Sequence, residues 1–401
     1  MSEIKNIPRL RFSEFHDNWG LKTLGELGDI INGITYSPTQ IQDRGVLVLR
    51  SSNIQNGRLS FEDNVYISVE KYNPVKKNDI LICVRNGSQR LIGKSALISK
   101  SFYNMGFGAF MTVYRSERNP FLYHWFDTEK YYKEVHKNLG ATINSINGSD
   151  LKKFKVPFPS LPEQQKIADF LTAVDKRIEL LEKKKTLLET YKKGVMKKIF
   201  NQEIRFKDDN GNDFPDWEEK RLDEILEERN QQSPKSDNYP LMAFSAEKGI
   251  SHKGERYNRE FLVKDIDNKK YKKTEFGDFI YSSNNLETGS IGLNTHGPAS
   301  ISPVYSIFKT KKKFDFNFLG RYLVRKEFIY KMTRYRQGVM YGQWRIHESD
   351  FLKINDRFPC FDEQKVIGIF LLSIDSYINE ISIVIDKTKT WKKGLLQKMF
   401  V

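Results

Sequence analysis

The chain is 401 residues long, which is room for two or three domains that each bury a core. It is 39% hydrophobic, no run nears 18 apolar positions, and its first residues, MSEIKNIPRLRF, show no signal- or transit-peptide pattern; we expect no membrane span and a bacterial cytoplasmic location. Two cysteines and six histidines without ligand spacing give neither a disulfide framework nor a metal site, while a net charge of +15 points to a polyanionic partner, because neutralising phosphates releases counterions.

In chain order, the first segment with a later echo is RLRFSEFHDNWGLKTLGEL, residues 9–27. Short β-type runs follow, VLVLR at 46–50 and DILICV at 79–84, separated by turns of Gly, Asn and Ser. The second run continues into VRNGSQRLIGKS, which has the strand, loop and GKS of a nucleotide-binding P-loop. That loop requires G-x-x-x-x-G-K-[ST], so that backbone N–H groups wrap phosphates while the lysine reaches across. Here five residues separate Gly87 from Gly93, and Ser88 stands where the first glycine belongs. GFGAF, 106–110, is a cofactor-type glycine turn without a companion motif. GSDLKKFKVPFP, 148–159, leads into a long helical stretch.

That stretch is predicted as one helix over 158–201. Ile167, Leu171, Val174, Ile178, Leu181, Leu188, Val195 and Ile199 follow spacings of four and three, with Lys185 and Lys192 in the vacant slots. A stripe of period 3.5 is a coiled-coil seam rather than the broad face of a globular helix. Pro159 and Pro162 mark its start. Roughly 38 residues at about 1.5 Å each make a rod of roughly 55–60 Å.

From residue 202 the plan repeats. EIRFKDDNGNDFPDWEEKRLDEIL, 203–226, echoes the opening through Arg-Phe, a Trp, and Leu222 and Glu224 for Leu24 and Glu26. ESDFLKINDRFP, 348–359, answers residues 148–159. The final stretch, predicted as a helix over 358–401, lies over the first at an offset of 200 without a gap, and 15 of 43 residues are identical. Its seam runs through Ile367, Leu371, Ile374, Ile378, Ile381, Ile385, Leu395 and Met399, with Thr388 and Lys392 as gaps. A shared register predicts that the two helices pack together. Between these frames, about 120 residues in each half barely resemble one another. GDFIYSSNNLETGSIGLNTH, 277–296, keeps an Asp, the apolar strand and an Ile-Gly at the spacing of Asp79 and Ile92-Gly93, but has Leu293 in place of Lys94. The GKS therefore reads as the varying rim of a shared Asp, strand, loop and Ile-Gly scaffold. The expected fold is α+β, with two similar target-recognition domains in an internal pseudo-repeat, separated and joined by two long helices forming an antiparallel coiled coil. Its expected domains are 1–157, a helix 158–201, 202–357 and a helix 358–401.

Enzymatic alternatives fail at the residue level. No proline adjoins another, so the Asn/Asp-Pro-Pro-Tyr/Phe loop of an adenine methyltransferase is absent. PDWEEK, 215–220, sets Asp216 and Glu218 two residues apart, whereas a metal-dependent nuclease places its carboxylates on successive strands. A coiled-coil adaptor without DNA contact would not need the positive charge or two large, divergent, turn-rich domains.

The lead-in P-x-P-x-L-x-E-Q-x-x-I (Pro157, Pro159, Leu161, Glu163, Gln164, Ile167) with its long helix, repeated about 200 residues later, resembles the specificity subunit of type I restriction-modification systems. The resemblance covers the whole chain, and the second copy departs from it at Phe361 and Asp362. It implies a non-catalytic DNA reader whose two target-recognition domains each read half of a bipartite, asymmetric site, with the antiparallel helices as spacer. It implies as partners double-stranded DNA, two modification subunits and two restriction subunits. The cofactors it implies, S-adenosylmethionine for adenine methylation and ATP with Mg for cleavage, sit on those subunits and not on this chain.

Arg, Lys, Asn and Gln can make paired contacts to base edges, so candidates are sought on turn-rich loops of the variable segments. In the first half these are Arg50, Asn53, Arg85, Asn86, Gln89, Arg90 and Asn144, with Lys94 on a DNA phosphate. In the second they are Ser283, Asn284, Asn285, Arg334, Arg336, Gln343 and Arg345, with Tyr341 and Trp344 as apolar or stacking partners. Lys269, Lys270, Lys272 and Lys273 are expected on phosphates, which position without specifying.

Overall fold

The structure is a computed structural model that describes residues 7–100, 104–139, 144–245, 249–252, 269–282, 291–335 and 346–401, and the backbone alone of 337–340 and 343–345. Two long helices, Leu161–Phe200 and Phe361–Met399, carry the apolar stripes. Both open later than the sequence suggested, because Lys155–Phe158 and Asn355–Phe358 are strands. Gln164 and Gln364 then donate their Nε2 hydrogens to the carbonyls of Pro159 and Pro359, each at 2.8 Å, and fix the first turn.

The chain divides into two compact units, Met1–Lys184 with Ile381–Val401, and Lys185–Glu380. Each unit takes part of both long helices.

In the first unit, Gly20–Thr23 pairs antiparallel with Lys155–Phe158. Leu24 is fully buried and donates its N–H to the Phe154 carbonyl at 2.9 Å. Glu26 folds back to accept from the Thr23 N–H at 2.6 Å, closing a one-turn helix by the reciprocal half of a capping box. A four-stranded antiparallel sheet follows in the order Asp29–Asn32, Met111–Arg115, Ile80–Cys83, Ser95–Leu97. A second sheet is built from Met105–Phe107, Val46–Leu49, Tyr66–Ile67 and Ile41–Gln42. Arg11 grips the buried Glu163 of the helix with Nε and Nη2, at 2.7 and 2.8 Å. Phe121 packs against Trp19 and against Phe400, at 6.2 and 5.4 Å between ring centres. Ile167, Leu171 and Val174 share one core with Leu395, Leu396 and Met399.

The second unit repeats these devices. Glu218–Arg221 pairs with Asn355–Phe358, Leu222 donates to Ile354, and Glu224 accepts from the Arg221 N–H at 2.8 Å. Its four-stranded sheet runs Leu226–Glu228, Ser306–Thr310, Phe279–Tyr281, Ile291–Leu293. Arg205 grips Glu363 at 3.1 and 2.7 Å. Phe318 packs against Trp217 and Phe200, both at 6.0 Å. The PDWEEK segment is thus frame: Trp217 is buried and bonded to Glu363, while Asp216 pairs with Arg205. Among the described residues no cluster of His, Cys, Asp and Glu could hold a metal ion.

The lysines in the apolar stripes are ion-paired. Lys392 reaches Asp127 and Asp175, each at 2.8 Å, within the first unit. Lys192 pairs with Asp375 within the second, where Arg321 binds the same carboxylate at 2.6 Å. A polar group at a core position specifies register at a cost in stability. The absence of a long apolar run does not by itself dispose of a membrane span, since the helix Phe361–Met399 contains an 18-residue window of mean hydropathy 1.5. Its Ile367, Leu371, Ile374, Ile381 and Ile385 are buried in protein, as a core-facing stripe requires.

Register corrects one equivalence. Asp79 and Asp278 do match: each is buried and accepts from the N–H three residues upstream, Lys76 or Glu275, at 2.7 Å. Each also meets an arginine, Arg115 or Arg229, at 2.7 Å. However, Ile82 faces Ser95 whereas Tyr281 faces Ile291. The counterparts of Ile291-Gly292 are Ser95-Ala96, and Ile92-Gly93 lies on the loop before the strand. The scaffold ends at the strand, and the connecting loop is three residues shorter in the second unit.

Candidate nucleic-acid interface

The GKS stretch is held by its own backbone. Gly93 has φ of +83°, and a Cβ there would come within 2.9 Å of Val135. Its N–H is spent on the Cys83 carbonyl at 2.8 Å, and its carbonyl accepts from Tyr131 Oη at 3.0 Å. A strand, Ser95–Leu97, follows where a P-loop would start a helix. No phosphate cradle forms. GFGAF is likewise the strand Met105–Phe107 and a turn into the next strand. Burial pushes the Cys83 thiol up to about 11, so it is no nucleophile.

Three of the first-half loops converge. Asn86 donates Nδ2 to Ser51 Oγ at 3.0 Å, and Lys94 Nζ reaches the Ser51 carbonyl at 3.5 Å. Asn144 donates to the Gly87 carbonyl at 3.1 Å, and Arg85 bridges Ser145 through the backbone. Arg85, Gln89 and Arg90 are exposed on this rim, the last two on a single 3-10 turn, Gln89–Leu91. Arg50 is partly exposed and paired with Asp63 at 2.8 Å.

Three expectations are corrected. Asn53 is fully buried, and its amide donates to the carbonyls of Ser60 and Asp63 at 3.0 and 3.1 Å, shaping the loop instead of facing a groove. Lys272 and Lys273 lie within the strand Tyr271–Thr274, 6% and 4% exposed. Lys273 is turned to the Pro234 carbonyl at 3.3 Å and the Tyr239 ring at 4.1 Å, and Lys272 to Glu348 at 3.6 Å, so neither is free for a phosphate. Lys269 and Lys270 are exposed. Arg334 is exposed over the ring of Tyr330, at 5.0 Å, an aromatic neighbour that loop composition did not single out. Ser283, Asn284, Asn285, Arg336 and Tyr341 lie outside the described residues, as do the side chains of Gln343, Trp344 and Arg345. The backbone of the last three forms a strand paired with Gln337–Met340.

A cleft of about 470 Å³ in the first unit sets Arg58, Lys389, Lys392 and Lys393 against Asp127, Glu129, Asp175 and Glu182. Its charges cancel, so it offers no net attraction to a phosphate.

Residues 16–190 match the family described as the type I restriction modification DNA specificity domain, a DNA-reading class. Over that stretch and beyond it, the chain is similar to specificity subunits of type I restriction-modification systems, and it spans less than half the length of the first two of them. It is 29% identical over 195 residues to the StySPI specificity subunit of Salmonella potsdam, and 28% over 195 residues to the EcoKI specificity subunit of Escherichia coli. Each match covers 45% of this chain and 42% of the relative. The putative MjaX specificity subunit of Methanocaldococcus jannaschii is 25% identical over 397 residues, 93% of this chain and 91% of the relative. In fold, the chain resembles the S subunit of a type I system from M. genitalium, with a TM-score of 0.60 at 18% identity, over 98% of this chain and 99% of that one.

Proposed function

We propose that this chain is the non-catalytic subunit that gives a type I system its DNA sequence specificity. Each of two target-recognition domains reads one half of a bipartite, asymmetric site on double-stranded DNA. The two long helices pack antiparallel as a coiled coil and set the spacing between half-sites. The chain works in the bacterial cytoplasm with two modification and two restriction subunits, which bring S-adenosylmethionine, and ATP with Mg, for adenine methylation and cleavage.

One observation carries this reading. Both units are built to the same plan, down to the Arg-Glu clamp, the Trp-Phe-Phe cluster and the buried Asp-Arg pair, while the loops on their rims differ in length and sequence. Two scaffolds of one design with different rims suit one task on two targets. Half-sites read from one DNA face lie about a helical turn, or ~34–36 Å, apart, which rigid helices can span.

The test is methylome sequencing of cells with and without this chain. A bipartite adenine-methylated motif should vanish on deletion, and intact methylation would refute the reading.

A further inference from the structure

Two of the most exposed apolar side chains occupy one position in the two units. Ile82 faces Thr112 and Tyr281 faces Ser306, so Met111 corresponds to Tyr305. Each of these is preceded by a turn closed by the same bond. The Met111 N–H donates to the Gly108 carbonyl at 2.8 Å, and the Tyr305 N–H to the Ser302 carbonyl at 3.3 Å. The third residue of the turn is Phe110 in one unit and Val304 in the other, 56% and 61% exposed.

Turn positions favour Gly, Asn, Asp, Ser and Pro, for backbone reasons that neither Phe nor β-branched Val satisfies. Exposed, they gain nothing from burial. Stability of the turn therefore does not account for them. In the first unit the turn is fixed to the polar rim, since the Phe110 carbonyl accepts the N–H groups of both Val84 and Arg85, at 3.0 and 3.1 Å. The Arg85 guanidinium lies 5.7 Å from the centre of the Phe110 ring. The ring is held among the cations that would meet DNA.

We infer that Phe110 and Val304 are equivalent apolar base contacts, each set against a thymine methyl group in the major groove of its half-site. This rests on the reading that the two rims bind DNA. The thymine methyl is the apolar feature of the major-groove code, and it accepts a large ring or a small branched side chain. Insertion between base steps uses longer or flatter wedges than valine, so the shared position favours the groove contact.

The test uses the chain assembled with its modification subunit and duplexes bearing the methylated site, with each thymine of the half-site replaced in turn by uracil. One replacement should weaken wild-type binding about tenfold. Phe110→Ala should bind about tenfold more weakly, be indifferent to that one replacement, and melt at the wild-type temperature. Val304→Ala should do the same at the other half-site. A Phe110→Ala protein that keeps both full affinity and thymine dependence overturns the inference. So does a half-site without thymine, or unstacking reported by 2-aminopurine beside the contact, which would show a wedge. Arg90→Ala separates the two levels: it should weaken binding and relax the base preference at its own position while leaving the thymine dependence as it was. If Arg90→Ala and Phe110→Ala both bind as wild type, the rim is not the DNA surface. If only Phe110→Ala does, the rim stands and the thymine contact falls.

Discussion

Glu163 is 1% exposed and Arg11, its partner, closes over it at 10%. The hydrogen bond to Glu163 raises the Arg11 pKa, against a smaller lowering by burial. Removing the arginine leaves a carboxylate out of water without its counter-charge. Arg11→Ala is therefore expected to destabilise the first unit by about 3 kcal/mol, read from the midpoint of denaturant unfolding. The Arg-Phe and Glu-Gln motifs were visible in the sequence as repeated pairs, but their mutual contact was not, since about 150 residues separate them. Asn53 shows the opposite failure. An asparagine in a turn-rich loop signals loop shaping and base contact with the same letter, and only its burial decides.

His124 is fully buried, and burial pushes it down to about 3 from 6.5. Between those values the unfolded chain binds a proton that the folded chain refuses. Its contribution is thus complete above pH 6.5 and is lost with acid, by about 1.4 kcal/mol per pH unit. Lys392 lowers it further, while Asp175, 3.9 Å from Nδ1, is itself pushed up by burial. In the second unit the same helical position is Arg321, bonded to Asp375 at 2.6 Å. His124→Asn should flatten the loss of thermal stability between pH 6 and 4.5; an unchanged pH slope would assign that loss to other groups.

At the scale of elements, the two helices were the most legible part of the sequence. Their seam positions are all buried or half-buried, because a stripe of period 3.5 has only one face to hide. Their starts were not legible. Phe158 and Phe358 fit the helical pattern as well as the strand that actually holds them, and Pro159 and Pro359 divide the two elements. If the helices set the half-site spacing, four residues added to one helix should change the spacer in the methylated motif and leave the half-site sequences as they were. An unchanged spacer would end the ruler idea. The rim loops were only partly legible: side chains able to touch DNA were named by chemistry, while Phe110, noted only as the end of GFGAF, and Val304, in no motif, came to light as a matched pair only through strand register.

For the molecule as a whole, the internal repeat revealed in advance that one plan is used twice, and it did so through frame residues such as Trp19 and Trp217 that proved to be core. It did not reveal how the helices are shared between the two compact units. Phe200 packs with Trp217's neighbours and Phe400 with Trp19, so each core is finished by the far end of a helix. The Leu10 N–H even donates to the Lys398 carbonyl, at 2.9 Å. During translation, the first unit's own sheets emerge early, but Leu395, Leu396, Met399 and Phe400 leave the ribosome some two hundred residues after the first helix. At synthesis rates of roughly 5–20 residues per second, that helix presents a bare apolar stripe for on the order of 10–40 s. The half made first is the half completed last, and until then it depends on chaperones or on its own marginal stability.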